Sequence, residues 1–194
     1  MQLKNSKTFQ NLTNAFAGEC MAMVRYRFVS YSAKQQGFKA LSALVDDVIY
    51  NEFQHARMLY TFIQTAREST IENLPVNSGF PFKEKWDLLE NLRLAASDEA
   101  AEEELYASFA KTARKEGFED VAGLFENLTE VENCHKKLFT QLYTQMKEGS
   151  MYKKPQAIKW KCGDCGYEAT GRQAWSECPV CQAKQGAVLI CIDD

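Results

Sequence analysis

The chain has only two histidines, His55 and His135, and each closes an E-x-x-H motif whose acidic member is Glu52 or Glu132. Residues three apart project from one face of a helix, so each motif can offer a carboxylate and an imidazole to the same ion. A further glutamate lies thirty-three residues before each motif, Glu19 before Glu52 and Glu99 before Glu132. The set repeats at a stride of eighty residues, and the flanks keep the register: Tyr26 matches Tyr106, Ala33 matches Ala113, Gly37-Phe38 matches Gly117-Phe118 and Leu44 matches Leu124. One E-x-x-H alone is more often a surface ion pair than a ligand pair. Its duplication in register reverses that weighting and points to two copies of a helical hairpin built around metal. Carboxylates can bridge two cations, and mixed oxygen and imidazole ligation suits iron or manganese better than zinc, with iron the first choice.

A second constellation lies near the other end, where Cys162/Cys165 and Cys178/Cys181 form two C-x-x-C knuckles. Four thiolates close a tetrahedron that accepts zinc or a single iron, and spacing does not choose between them. The neighbourhood does: Trp160, the run from Cys162 to Tyr167, and Cys178-Pro179-Val180-Cys181 resemble rubredoxin, which implies a mononuclear iron that carries electrons. Of the three remaining cysteines, Cys20 and Cys134 adjoin ligand positions but point about 100° away from them on a helix. They read as small core residues. Cys191 has no assigned role.

The elements that must position these groups are four helices, predicted over 8–36, 38–67, 82–116 and 118–147. Gly37 and Gly117 are helix-ending signals that imply two tight antiparallel hairpins. Residues 68–81, with Pro75, Asn77, Ser78, Gly79 and Pro81, read as the long connection between them. One glutamate on two helices and E-x-x-H on the other two is the ferritin-like dimetal arrangement. The expected fold is therefore an all-α ferritin-like four-helix bundle (1–148), a linker (149–157) and a small rubredoxin-like domain of strands and turns (158–194). About forty residues is near the size at which a metal staple becomes necessary.

A net charge of −3 provides no basic footprint for nucleic acid. No apolar run approaches the roughly twenty residues needed to cross a bilayer, and the first residues lack a secretory apolar core. Cysteines spent as metal ligands suit a reducing compartment, so a cytoplasmic protein is expected.

Taken together, the chain resembles the rubrerythrin family along nearly its whole length. The resemblance rests on Ala17-Gly18-Glu19, on Asn51 through Ala56, on Val131 through His135, and on Asn91-Leu92 ahead of Glu99 and Glu102. It implies a di-iron ligand set of Glu19, Glu52, His55, Glu99, Glu102, Glu132 and His135, with Glu52 and Glu132 bridging, and a third iron on Cys162, Cys165, Cys178 and Cys181. It also implies a peroxidase that reduces hydrogen peroxide in oxidative stress defence. Electrons would come from the partner chain's rubredoxin domain in a homodimer, supplied by an external rubredoxin or NAD(P)H-dependent reductase. The alternatives are a ferroxidase using dioxygen and a non-enzymatic metal-binding protein with a structural zinc.

One departure from the family is visible. Rubrerythrins generally carry one more residue between the counterparts of Glu99 and Tyr106, an insertion that a helix absorbs as a π-bulge. Here that interval equals the one from Glu19 to Tyr26. Counted from Glu99, the family's seventh ligand falls on Glu102; counted back from Tyr106, it falls on Ala101, and Glu103 is a further candidate. Glu104 reads as part of a solvated acidic face. Tyr26 and Tyr106 lie seven residues, nearly two turns, after Glu19 and Glu99 and are candidates to hydrogen-bond ligating carboxylates.

Overall fold

The structure is a computed structural model that describes residues 2–66, 73, 75–76 and 87–193. Four long helices dominate it: α1 (Lys7–Gln35), α2 (Lys39–Thr65), α3 (Leu88–Glu116) and α4 (Glu119–Lys147). The expected long connection at 68–81 lies almost entirely outside the described residues.

Local chemistry sets the helix ends. The Ser6 side chain accepts from Phe9 N at 3.0 Å, and Glu116 of the other hairpin accepts from Lys7 N and Thr8 N at 3.2 and 2.8 Å, so the free donors of the first turn of α1 are satisfied. At the far end, Phe38 N donates to Ala33 O (2.9 Å) and Gly37 N to Lys34 O (3.1 Å), with Gly37 at φ 83°. The α3–α4 turn repeats this at Phe118, Ala113, Gly117 and Arg114, with the same distances and φ 84°. Both turns are Schellman closures, and a side chain at either glycine would be strained in the left-handed region. Helix α3 begins at Leu88; residues 82–86, expected as its start, lie outside the described residues. Asp87 is extended (φ −78°, ψ 96°) and its side chain accepts from Glu90 N, which caps the helix at that point. From Leu88 to Glu116 the helix runs without a π turn, in keeping with its missing residue.

Helix α1 packs chiefly on α2 and α3 chiefly on α4, while α1 and α3 join the two hairpins. The core divides into two apolar blocks. One contains Ala22, Tyr26, Val45, Ile49, Leu92 and Phe139; the other contains Leu12, Leu59, Ile63, Tyr106, Ala110 and Phe125. Along every helix the motif residues fall between these blocks, so a polar layer is enclosed by hydrocarbon on both sides.

The C-terminal module is an antiparallel pair, β1 (Lys153–Lys161) and β2 (Glu168–Gln173), followed by knuckle turns and a short 3-10 turn at Gln185–Ala187. Residues 153–157, expected as linker, form the first half of β1. Pairing of Lys153 with Gln173, across an irregularity before Ile158, draws them into the sheet. Trp160 is buried and donates to Gly171 O at 2.9 Å, with Val188 and Ala174 around it. The module also leans on the bundle: Ile190 joins the first apolar block, and Gln145 Nε2 donates to Cys191 O at 2.8 Å.

Candidate dimetal and four-cysteine sites

Four helices deliver six of the seven expected ligands to one buried layer. Glu19, Glu52, Glu99 and Glu132 are fully buried, and His55 and His135 are nearly so. His55 Nδ1 faces Glu52 Oε2 at 3.0 Å, Glu132 Oε1 at 3.3 Å and Glu19 Oε2 at 3.6 Å. His135 Nδ1 faces Glu52 Oε1 at 3.0 Å, Glu132 Oε2 at 3.1 Å and Glu99 Oε2 at 3.8 Å. Glu52 and Glu132 each turn one oxygen toward each imidazole, while Glu19 and Glu99 serve one side apiece. The donor atoms form two overlapping sets, each within 4.8 Å: Glu19, Glu52, His55 and Glu132, and Glu52, Glu99, Glu132 and His135. This is the layout of two cations bridged by two carboxylates.

The electrostatics make the same demand. Glu19 Oε2, Glu52 Oε1, Glu99 Oε2 and Glu132 Oε1 are buried without a hydrogen-bonded donor, a costly state for anionic oxygens. Burial first, and then the surrounding carboxylates, pushes Glu19 and Glu99 well above the usual carboxylate range. Burial works against protonating His55, yet Glu132, Glu19 and Glu52 overcome it and raise the imidazole to about 12; His135 rises to about 9 through Glu132 and Glu52. Four carboxylates match the charge of two divalent cations, which would take the place of those protons. The donor set fits a di-iron centre.

The tyrosines cross between hairpins. Tyr26 Oη donates to Glu99 Oε1 and Tyr106 Oη donates to Glu19 Oε1, the latter at 2.5 Å, so each phenol orients the glutamate of the opposite repeat. Glu102 lies beside the converging groups rather than among them. Its Oε2 is buried without a partner, its Oε1 approaches Gly18, and burial followed by the Glu52 and Glu132 charges raises it to about 8. Glu103 is engaged elsewhere, by Lys136, and Glu104 is exposed. Cys134 is also exposed and Cys20 half-buried, which corrects their reading as core residues. Although Cys134 lies within an inward-facing motif, it occupies the outer side of α4.

Three positions escaped the sequence reading. Asn51 Nδ2 lies 3.3 Å from His135 Nε2, Arg25 pairs with Asp98 between α1 and α3, and Lys39 Nζ meets Asp164 Oδ1 at 2.5 Å. All three break the eighty-residue register, since Asn51 faces Val131, Asp98 faces Gly18 and Lys39 faces Glu119 in the alignment of the repeats. That asymmetry was the available signal.

In the C-terminal module, Cys162 Sγ lies 3.7 Å from Cys181 Sγ, and Cys165 Sγ lies 3.7 Å from Cys178 Sγ. All four sulfurs fall within 4.8 Å of one another. A tetrahedron with metal–sulfur bonds of about 2.3 Å has edges of about 3.8 Å, so the thiols are spaced for one ion. Gly166 (φ 76°) and Gln182 (φ 63°) turn the chain after each knuckle. Cys162 and Cys178 are buried and Cys165 and Cys181 exposed, so one edge of the site is open to solvent.

A ferritin-like bundle with a carboxylate-bridged dimetal layer, joined to a rubredoxin-like four-cysteine module, defines the class of protein. The sequence model of the rubrerythrin family matches residues 10–89 and 90–161, one segment beginning in each hairpin. A rubrerythrin from Clostridium perfringens is 37% identical over 180 residues, covering 92% of this chain and 91% of its own. A rubrerythrin from Nitratidesulfovibrio vulgaris is 36% identical over the same shares of both chains. The chain belongs to the rubrerythrin family. Among solved structures, partially reduced nigerythrin aligns with a TM-score of 0.64 at 22% identity, covering 95% of this chain and 88% of that one. Desulfovibrio desulfuricans bacterioferritin, described with a diiron site, aligns at 0.62 and 24% identity over 73% of this chain and 81% of its own. Both show the shared fold.

Proposed function

We propose that this protein is a non-haem di-iron peroxidase that reduces hydrogen peroxide to water in oxidative stress defence. The ligands in this reading are Glu19, Glu52, His55, Glu99, Glu132 and His135, with Glu102 as a seventh carboxylate. The observation that carries it is the pairing, in one chain, of a two-cation carboxylate and imidazole layer with a four-thiolate site. One site suits a two-electron reaction and the other supplies electrons singly. The working division is a catalytic bundle over 1–148 and an electron-carrying module over 158–194, joined through 149–157.

When bound, the two irons supply Lewis acidity and two electrons, which with two protons convert one peroxide to two waters. The chain's own residues do the rest. Glu52 and Glu132, each turned toward both imidazoles, would hold the two cations between them. Tyr106 and Tyr26 keep Glu19 and Glu99 aimed inward. The apolar blocks above and below exclude bulk water and its competing chemistry.

Within one chain, Lys39, which pairs with the cysteine module, is thirteen residues from Glu52 on α2, or about 20 Å at 1.5 Å per residue. This separation supports electron delivery from the partner chain's module in a homodimer. Exposed Val24, Phe28 and Tyr31 on α1, with Tyr50 and Phe53 on α2, offer apolar surface for that dimer. The exposed edge at Cys165 and Cys181 suits docking of an external rubredoxin or NAD(P)H-dependent reductase.

Anaerobic stopped-flow reoxidation of the iron-loaded, pre-reduced protein tests the proposal. Rapid return of visible absorbance with hydrogen peroxide and slow return with dioxygen is the expected result. The reverse preference would identify a dioxygen-dependent oxidase or ferroxidase. A chain that develops no ferric thiolate colour would hold zinc and lack the relay.

A further inference from the structure

Helix α2 begins against its own electrostatics. Acidic residues stabilise the first turn of a helix and basic ones oppose its dipole, yet α2 has no acid there and starts with Lys39. The duplicate position obeys the rule, since α4 starts with Glu119 and Asp120. A local rule broken in one repeat and kept in the other signals a use outside the helix.

That use is visible at the end of the bundle. Lys39 Nζ meets Asp164 Oδ1, and Asp164 lies inside the first knuckle, between Cys162 and Cys165. The backbone beside it is seated as closely. A Cβ at Gly186 would lie 1.7 Å from Gly37 O and 3.3 Å from Phe38 Cα, so the Gln185–Ala187 turn rests directly on the α1–α2 turn. Ala187 O in turn accepts from Gly163 N at 2.8 Å, tying the seat to the knuckle that carries Asp164. Asp164, through its hydrogen bond and its charge, raises the proton affinity of the Lys39 amine, so a cation sits against the knuckle that holds Cys162 and Cys165.

The structure assigns Lys39 as a positioning residue that seats the four-cysteine module on its own bundle and raises the reduction potential of the iron held there. An iron bound by four thiolates carries one negative charge when ferric and two when ferrous. A nearby cation therefore favours the ferrous form, and net charge around such a site is a principal determinant of its potential. Lys39 is two-thirds exposed, so solvent and salt limit the effect. The inference rests on iron occupying the four-cysteine site and does not depend on which oxidant the bundle reduces.

The test is a spectroelectrochemical titration of the four-cysteine iron in the full, iron-loaded protein. At a fixed applied potential, Lys39→Gln should lower the ferrous-to-ferric ratio about threefold, equivalent to ~30 mV at 59 mV per tenfold. Lys39→Arg should retain the wild-type ratio. Gly186→Ala, with Lys39 intact, should unseat the module and give the same shift, and adding Lys39→Gln to it should change nothing further. An unchanged ratio in Lys39→Gln, or an additional loss of equal size in the double variant, would overturn the assignment. Amide exchange on the zinc-loaded protein reads the seat without iron chemistry. Gly186→Ala should speed exchange around 37–39 and 185–187 together, and unaltered exchange there would remove the seat. Failure of ferric colour to form would count against the iron reading and leave the exchange result intact.

Discussion

The two hairpins are near-copies in the residues that face the metal layer and diverge elsewhere, at the Ala22/Glu102 pair beside that layer as well as at outer positions. Glu19 and Glu99, Glu52 and Glu132, His55 and His135, and Tyr26 and Tyr106 occupy equivalent places in one buried layer. Outside that layer the repeats part company. Ala22 corresponds to Glu102, Gly18 to Asp98, Asn51 to Val131 and Lys39 to Glu119. Two cations impose a symmetric demand on their ligands, so the inner positions cannot drift separately. The outer positions meet different neighbours: α2 begins beneath the cysteine module, whereas the start of α4 lies near Arg114, which pairs with Glu119.

The largest effect that could break this symmetry comes from its shared members. Glu52 turns an oxygen to each imidazole, whereas Glu19 serves only His55. Glu52→Ala should therefore lose both cations, leaving less than one bundle iron per chain after desalting, while Glu19→Ala should retain the position at His135. Metal analysis of the bundle, with the four-cysteine iron counted separately by absorbance, checks this. Equal losses in the two variants would mean that the carboxylates do not divide into bridging and terminal roles.

The tyrosines should give the next largest effect. Loss of a partner that orients a metal ligand typically costs ~10–100-fold in affinity or activity. Tyr26→Phe should weaken the Glu99 side and Tyr106→Phe the Glu19 side, because each phenol bonds across to the other hairpin. Mössbauer spectra of ⁵⁷Fe-loaded protein can resolve which iron responds. A change at the cation bound by the tyrosine's own hairpin would contradict the crossed pairing.

That crossing shows where sequence reading stopped. The convergence of the glutamates and histidines, the turns at Gly37 and Gly117, and the knuckles were legible because helical periodicity and short loops are local. The likeness of the repeats even marked the tyrosines. Which glutamate each tyrosine meets depends on how α1 packs against α3, and no local spacing encodes it. Asp87 was missed as a start signal: one carboxylate bonded to Glu90 N sets the beginning of α3, and its place in the sequence alone does not announce that bond. The strand start at Lys153 depends on Gln173, twenty residues away. Cys134 was read as a core residue because free cysteines are usually buried, but its turn of about 100° away from the ligand layer carries it to the outer side of α4.

Proton linkage should affect the repeats together, with a smaller amplitude than ligand loss. In the metal-free protein, burial and mutual repulsion raise Glu19 and Glu99, Glu102 stands at about 8, and neighbouring carboxylates lift His135 to about 9. The folded state thus holds protons that the unfolded chain would release at lower pH. The stability they contribute is complete below the unfolded values and is lost as pH climbs through the folded ones. Glu52, pulled down to about 2 by His135 and His55 despite its burial, acts oppositely and matters only in acid. The metal-free bundle should therefore melt at a lower temperature at about pH 8.5 than at about pH 6. Ferrous affinity should rise over the same interval as cations displace the protons. Melting curves and anaerobic titrations at the two pH values check both signs, and a metal-free protein that gains stability toward pH 8.5 would refute the linkage.

The smallest effect separates the repeats where they differ most. Glu102 occupies the place of Ala22, with a buried Oε2 lacking a partner beside the metal layer. Glu19, Glu52, Glu99 and Glu132 balance two ferrous ions, but oxidation of both irons adds two positive charges that those four carboxylates leave uncompensated. Glu102 is the next carboxylate available, its Oε1 lying against Gly18 of α1. Glu102→Ala should thus leave ferrous loading within about twofold of wild type and weaken retention of the ferric pair severalfold, as measured by iron release to a chelator before and after oxidation. Equal retention in both oxidation states would exclude Glu102 from the ligand set. Four buried glutamates, two histidines and two crossed tyrosines would then constitute the whole site, with α3 an uninterrupted α-helix from Leu88 to Glu116 that lacks the residue a bulge would need.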